Sequence, residues 1–380
     1  MLRPVKQTSA GHLRILLGQL GANGDCLCAT AIARQIKHDF PGCRLTWAVG
    51  SRYRAVLEEN PFIDEIWEYP LASLSELADA WEEFAREARR RKRAGDFDEI
   101  FLTQVPPDNY RNFDGTVRAS IFRGYPRPIT VPITPVLRLS DAEVHNAERF
   151  VTDHGIDTYS HRILFECAGA SGQTFLTPGF AEETARLVLE RVPDTAVILS
   201  SNIPVHSSDR RIIDASVLPL RQNAHLTRHC TLFVGGCSGI TWLAMSDWAR
   251  PLPMLQLLSR RTSVFASVVH DAEYFGLPAG HVLEMTDCPP GHAAECIIAV
   301  LTGEFSSARA RFHERIPVRL DFYLTVFIWS LMKRGRLLTV ARSLLTAFRR
   351  YGPGPFFTFG LERMTGYRPS GRNDGEGAVP

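Results

Sequence analysis

Hydrophobic and polar positions along this chain switch repeatedly between two periods. Leu13 to Leu20 is an apolar run of strand length, and Gly21-Ala-Asn-Gly-Asp25 follows as a loop. From Cys26 to His38 apolar residues recur at helical spacing and stop before Pro41-Gly42. Leu45 to Val49 predicts a second strand, Arg52 to Glu59 a short helix, and Ile63 to Tyr69 a third strand. A long charged helix is predicted over Ser73 to Arg93, then a fourth strand over Glu99 to Thr103. Short apolar runs alternating with helical segments mean βαβ units and a parallel sheet.

The pattern restarts after the proline-rich stretch Pro126 to Pro135. Asp141 to His154 and Pro178 to Arg191 read as helices, and Arg162 to Cys167, Thr195 to Leu199 and Thr231 to Val234 as strands. A short helix falls within Leu218 to His229, another over Ile240 to Trp248, and a further strand over Leu255 to Leu258. The predicted organisation is therefore two Rossmann-like α/β domains, residues 1–135 and 136–312. A helical, basic segment over 313–368 and a Gly-rich polar tail over 369–380 complete it, the tail being too polar to pack.

Composition narrows the class. The chain has 380 residues, 45% hydrophobic and 22% charged, enough for two ordinary cores. Its formal charge of +2 supplies no excess to neutralise phosphates, so nucleic acid is not an expected partner. The eight cysteines sit mostly in apolar runs and read as small buried hydrophobes in a reducing compartment. Cys26 and Cys28 lack the spacing of a zinc knuckle, so no metal is expected from them. No signal peptide is evident, and no stretch reaches the roughly 18–20 apolar residues of a membrane span. The expected location is the cytoplasm or the inner face of the cytoplasmic membrane.

Ligands of parallel α/β sheets sit at the carboxyl ends of the strands. Three loops occupy such places. Gly21 to Asp25 opens a helix, with Asp25 either capping that helix or carrying chemistry. Gly18-x-x-Gly21-x-x-Gly24 only loosely matches a dinucleotide fingerprint, and no acidic residue ends the next strand. Ala168-Gly-Ala-Ser-Gly-Gln-Thr174 offers hydroxyls and backbone N–H groups for phosphate oxygens but lacks the ending of a P-loop. Gly235-Gly-Cys-Ser-Gly239 leads into a helix as an anion site would, and its spacing differs from a nucleophile elbow.

Together these segments resemble the ADP-heptose:lipopolysaccharide heptosyltransferase family, glycosyltransferase family nine. The carriers are RILLGQLGANGDCLCATAIARQIKHDFPGCRLTWAVGSRYRAVLEENPFIDEIWEY near the N-terminus and LTRHCTLFVGGCSGITWLAMSDWARPLPML in the second half. The resemblance covers about residues 13–300. It implies a glycosyltransferase-B fold with the acceptor on the first domain and a nucleotide-sugar donor on the second. Asp25 falls on the family's general base. Gln104 matches a glutamine after the family's fourth strand, and with Asp108 and Asn109 it would face the acceptor. Asn23, Gly24, Ser171, Gly172, Gln173, Thr174, Ser200, Ser201, Asn202, Cys237, Ser238, Gly239 and Trp242 would surround the donor. The implied reaction is an inverting, metal-independent transfer in bacterial surface-polysaccharide assembly, with no cofactor beyond the donor and a glycan or lipid-linked acceptor.

Three positions depart from the family pattern. Cys237 replaces an aspartate, Trp242 a histidine, and Ser171 to Thr174 a loop that usually carries a basic residue. They point to a donor other than ADP-heptose, or to a weakened relative. A non-hydrolysing nucleotide-sugar epimerase of the same fold and a degenerate glycan-binding protein are the alternative readings. Near the C-terminus, Lys333 to Arg350 carries six basic residues and no acidic one, interleaved with Leu337, Leu338, Leu344, Leu345 and Phe348. Residues 321–350 thus read either as an amphipathic surface for an anionic membrane or as a packed helix returning to the first domain.

Overall fold

The computed structural model describes residues 12–105, 109–167, 173–260 and 266–365. The first half builds a four-stranded sheet from β1 (Arg14–Gly18), β2 (Arg44–Gly50), β3 (Glu65–Tyr69) and β4 (Glu99–Leu102). Its order is β3-β2-β1-β4, and every pairing is parallel. Helices α1 (Asn23–Asp39), α2 (Leu77–Ala94) and the short α3 (Arg118–Phe122) accompany it. The Arg52 to Glu59 helix expected from sequence is a 3-10 stretch, Ser51–Leu57.

The second half contains α4 (Asp141–Asp153), β5 (His161–Glu166), α5 (Pro178–Arg191), β6 (Thr195–Ser200) and β7 (Ile212–Asp214). It continues through α6 (Asn223–Leu226), β8 (Leu232–Gly235), α7 (Gly239–Ala244), β9 (Met254–Leu258), α8 (Val268–Tyr274) and β10 (Val282–Thr286), and closes with α9 (Pro290–Thr302) and α10 (Phe305–Phe312). The six strands run β10-β9-β8-β5-β6-β7, again all parallel. Local chemistry sets the helix starts. Ser140 and Glu143 close a capping box on α4, and Thr177 caps α5 with Pro178 at its first position.

Both strand orders reverse at a central strand. β1 lies between β2 and β4, and β5 lies between β6 and β8. These reversals leave a crevice at the carboxyl ends of β1/β4 and of β5/β8, where open α/β sheets bind ligands.

After α10 the chain runs through a π-helical stretch, Tyr323–Ile328, into α11 (Trp329–Lys333), α12 (Leu337–Tyr351) and α13 (Gly354–Thr365). Gly335, at φ +67°, supplies the turn between α11 and α12. This segment returns to the first half. Tyr323, Leu331, Val340 and Ala347 join the apolar cluster that holds the β1 and α1 side chains. The Ser343 hydroxyl donates to the Phe113 carbonyl at 2.7 Å, and Arg350 Nη1 to Asp114 at 2.8 Å. The other side of α12 leaves Leu337, Leu338, Leu345 and Phe348 exposed. Among the described residues no helix is long and apolar enough to cross a membrane. All eight cysteines are buried and unpaired, as their apolar settings predict.

Candidate active site

At the first reversal the polar groups are mostly amides. Gln104, fully buried, accepts from the Gly21 N–H and from Gln19 Nε2, both at 3.0 Å. Gln19 Nε2 also donates to the Gly21 carbonyl at 2.9 Å, and the Thr103 hydroxyl donates to Gln19 Oε1 at 2.9 Å. Tyr53 lies flat against the loop, so that a Cβ on Gly21 would come 2.6 Å from its ring. The loop is thereby held from below and from the side, and α1 starts in a fixed place.

Ala22 is the N-cap of α1 and makes no side-chain cap bond. Asp25 is therefore the third helical residue, not the cap that its sequence position allowed. Its carboxylate reaches back to the Ala22 backbone N–H. Among the described residues it has no ion-pair partner. A helix N-terminus favours a charged carboxylate, but here burial outweighs it and pushes Asp25 up to about 7.

The second domain closes over this point. A Cβ on Gly24 would stand 3.0 Å from Trp242 Cδ1, and one on Gly239 would stand 3.2 Å from Asn23 Cβ. Asn23, Gly24, Gly239 and Trp242 thus meet across the domain boundary. Arg118 of α3 stacks 4.8 Å from the Trp242 ring and 5.2 Å from Phe275, and pairs with Asp271 of α8. Both partners are buried, and burial raises Asp271 even against the Arg118 charge.

At the second reversal the polar groups are carboxylates. Glu166, fully buried at the end of β5, accepts from the Ser238 N–H at 3.2 Å and the Thr241 hydroxyl at 2.8 Å. The Gly236 N–H and the Ser238 hydroxyl also point to it. Only glycine fits at 235, because a Cβ would come 2.8 Å from Glu166 Oε2 and 2.5 Å from Phe233. Cys237 then takes the left-handed conformation, φ +61°. Gln173 Nε2 donates to the Cys237 carbonyl at 2.9 Å, and the Thr174 hydroxyl to the Leu257 carbonyl at 2.6 Å. The register continues the polar row across the sheet, from Gly235 to Gln256 and from Gln256 to Glu284. Glu284 accepts from the Ser267 hydroxyl at 2.8 Å and the Val269 N–H at 3.1 Å, and burial pushes it up to about 7. Gln256 is wholly buried and its amide finds no hydrogen-bond partner among the described residues.

The structure sorts the residues singled out from sequence. Gln173, Thr174, Cys237, Ser238 and Gly239 gather around the ends of β5, β8 and β9. Ser200 is buried, with its hydroxyl given to Asn223 at 2.6 Å, and Ser201 accepts from the Ile203 N–H. Asn202 is exposed beside them. Asn109 is buried and donates to the Leu102 carbonyl at 2.8 Å, which ties it to β4. Asp108, Ser171 and Gly172 lie outside the described residues. Sequence reasoning passed over Glu166, Gln256 and Glu284; of these only Gln256 is the single polar residue of its strand, a visible sign of a buried polar role. Arg118 and Asp271 carry no such sign. A cavity of about 460 Å³ lined by Arg14, Arg44, Glu65 and Arg91 lies instead at the amino ends of β1 to β3, remote from Asp25.

Two parallel-sheet α/β domains, each with a strand-order reversal at its centre, define a glycosyltransferase-B fold. No family model and no curated protein matches the sequence. Among solved structures, the glycosyl transferase family 9 protein from Veillonella parvula DSM 2008 is similar at 15% identity and a TM-score of 0.54, over 72% of this chain and 86% of that chain. The E. coli ADP-heptose lps heptosyltransferase II gives 14% identity and 0.49, over 76% and 99%. A UDP-N-acetylglucosamine 2-epimerase gives 10% and 0.42, over 86% and 98%. The first establishes that the chain resembles a family-nine protein in fold, as its motifs suggested. The other two, more distant, add nothing to that.

Proposed function

We propose that this chain is a glycosyltransferase that moves a sugar from a nucleotide-sugar donor to a hydroxyl of a glycan or lipid-linked acceptor. The observation that carries the reading is Asp25: a carboxylate at the domain boundary, without a cation, poised near neutrality. A base with such a pKa can take the acceptor's proton as its oxygen attacks the anomeric carbon. Attack opposite the leaving group inverts that carbon. The departing nucleoside diphosphate would lie against the loops at 173–174, 200–202 and 237–239, to be met by donors of those loops other than the groups already given to Leu257, Asn223 and Glu166. Gln104 would act from below by holding the glycine loop. Carried over from the family resemblance, the proposed setting is surface-polysaccharide assembly, and Cys237 and Trp242 favour a donor other than ADP-heptose.

The test is turnover with a panel of nucleotide sugars and glycan or lipid-linked acceptors, read as nucleoside diphosphate release. Asp25→Asn should lower it by about 10²- to 10⁴-fold while leaving the donor's thermal shift in place. Full turnover by Asp25→Asn would overturn the base assignment. Conversion of the donor without any acceptor would make the protein an epimerase.

A lipid-linked acceptor gives the exposed face of α12 a use. Leu337, Leu338, Leu345 and Phe348 stand there beside Arg342 and Arg349, a pattern suited to an anionic bilayer surface. Leu338→Glu should weaken binding to phosphatidylglycerol vesicles, and unchanged binding would remove the membrane from the proposal.

A further inference from the structure

Away from the boundary between the domains, four titratable side chains converge near the amino end of β8. Glu148 comes from α4, His225 from α6, His229 from the turn before β8, and Asp157 from the 3-10 turn Ile156–Thr158. Both imidazoles turn Nε2 toward one oxygen, Glu148 Oε1, at 2.6 Å for His225 and 3.2 Å for His229. The other nitrogen of His229, Nδ1, lies 3.0 Å from Asp157 Oδ2.

Asp157 accepts only, so Nδ1 of His229 carries the proton it receives. In the neutral ring, Nε2 then holds a lone pair, and it faces a carboxylate oxygen that also only accepts. A protonated ring would donate to both carboxylates as an ion pair, and a neutral ring would accommodate a metal cation between Nε2 and Glu148. The His225 side chain is 5% exposed, so its Nε2 is held at Glu148 away from bulk water. Two imidazoles and a carboxylate converging, with an outer carboxylate fixing one ring's tautomer, is the architecture of a transition-metal centre.

We infer that Glu148, His225 and His229 bind a divalent transition metal of the zinc type, with Asp157 orienting His229. The three donor atoms already lie within 4.8 Å of one another. Ligands of a tetrahedral zinc with bonds of roughly 2.0–2.1 Å stand about 3.3 Å apart, so a small outward swing of Glu148 admits the ion. Glu148 is 47% exposed, which gives it that freedom and leaves a fourth position open to water. The centre would pin α4, α6 and the 156–158 turn together. It stands at the opposite end of β8 from the 235–239 loop, so its role is to brace the second domain rather than to take part in transfer.

The experiment is calorimetric titration of the chelator-treated, full-length protein with zinc chloride, with melting temperature followed in parallel. One equivalent should bind and raise the Tm. Uptake should weaken on acidification, because protons compete with the metal for its ligands. Asp157→Asn should weaken binding about 10- to 100-fold. His229→Gln should weaken it further, and Glu148→Gln, at a half-exposed position that the fold tolerates, should do the same. Cobalt in place of zinc should give the intense visible bands of a tetrahedral site, and Glu148→Gln should abolish them. If zinc neither binds nor raises the Tm, the cluster is only an ion-pair network. If it binds Glu148→Gln and His229→Gln as tightly as the parent, the metal lies elsewhere.

Discussion

Two carboxylates, the partly buried Asp25 and the fully buried Glu166, stand at corresponding places in the two halves, and they are held in opposite ways. Asp25 follows the central strand of the first sheet, and Glu166 ends the central strand of the second. Burial raises both. Asp25 has one backbone donor, Ala22, whereas Glu166 gathers the Ser238 and Thr241 groups and the Gly236 N–H around it. A carboxylate with few donors is chemically available, whereas one ringed by donors organises a loop. On the proposed function, the first half would hold the reactive group and the second half the donor cradle.

The contact between the two halves gives the largest expected effect. Arg118 is a buried cation at the boundary, stacked on Trp242 and paired with Asp271. Arg118→Met leaves Asp271 buried and unpaired, which should destabilise the protein by about 3–5 kcal/mol. Adding Asp271→Leu should recover most of that, because replacing both partners removes the stranded charge. Urea denaturation of the two variants decides it. A loss below ~1 kcal/mol in Arg118→Met would mean that water reaches Asp271 and that the two crevices do not close on each other in solution.

How far this division could be read in the sequence depended on the kind of signal. The parallel sheets were legible because their strands are short apolar runs between helices. β7, at three residues, and β10, whose run is interrupted by Glu284, escaped for lack of such a run. The Gly-Asp loop was legible as a site, but not its electrostatics. The raised pKa of Asp25 comes from burial, which the sequence does not show. The loops at 168–174 and 235–239 were legible as candidate phosphate-binding loops, while Glu166, which organises the second of them, was passed over as part of a strand. Arg118 was invisible, since only folding brings it to Trp242.

Asp25 is the next comparison. Its folded pKa of about 7 stands above the ordinary carboxylate value of 3.8. Between these values the folded state holds a proton that the unfolded state has lost, so stability falls as pH rises through that window and is flat above it. Asp25→Asn has no proton to lose. It should match wild type near pH 4 and be the more stable variant at pH 8, by at most roughly 4 kcal/mol for a three-unit shift. Melting temperatures across pH 4–8 test this. Parallel curves for the two proteins would show that Asp25 is hydrated. The same ionisation should appear as the acidic limb of kcat/KM, with rate lost below pH 7.

Glu166→Gln should move stability the other way. An amide has one accepting oxygen where the carboxylate has two, and its NH₂ would face donors. One of the Ser238, Gly236 or Thr241 groups loses its partner in the interior, at about 1–3 kcal/mol. Nucleoside diphosphate affinity should fall with it if the 235–239 loop is the cradle. A Glu166→Gln variant as stable as wild type would erase the contrast with Asp25.

The smallest effect separates backbone from side chain within that cradle. Cys237 sits at φ +61°, where a Cβ crowds the carbonyl and a non-glycine residue is strained by roughly 1–2 kcal/mol. Its carbonyl, not its thiol, receives Gln173. Cys237→Ala and Cys237→Gly remove the same thiol and its buried contacts, but only glycine removes the strain. Glycine also enlarges the conformational freedom of the unfolded chain, by roughly 0.5–1 kcal/mol relative to alanine. The two terms oppose each other, and strain is the larger, so Cys237→Gly should be more stable than Cys237→Ala by up to about 1 kcal/mol. Nucleotide affinity should be alike in both, because the Cys237 carbonyl remains in place to hold the loop. If alanine proves the more stable, residue 237 leaves the left-handed conformation in solution. The loop around Glu166 would then adapt to its ligand rather than wait preformed for it.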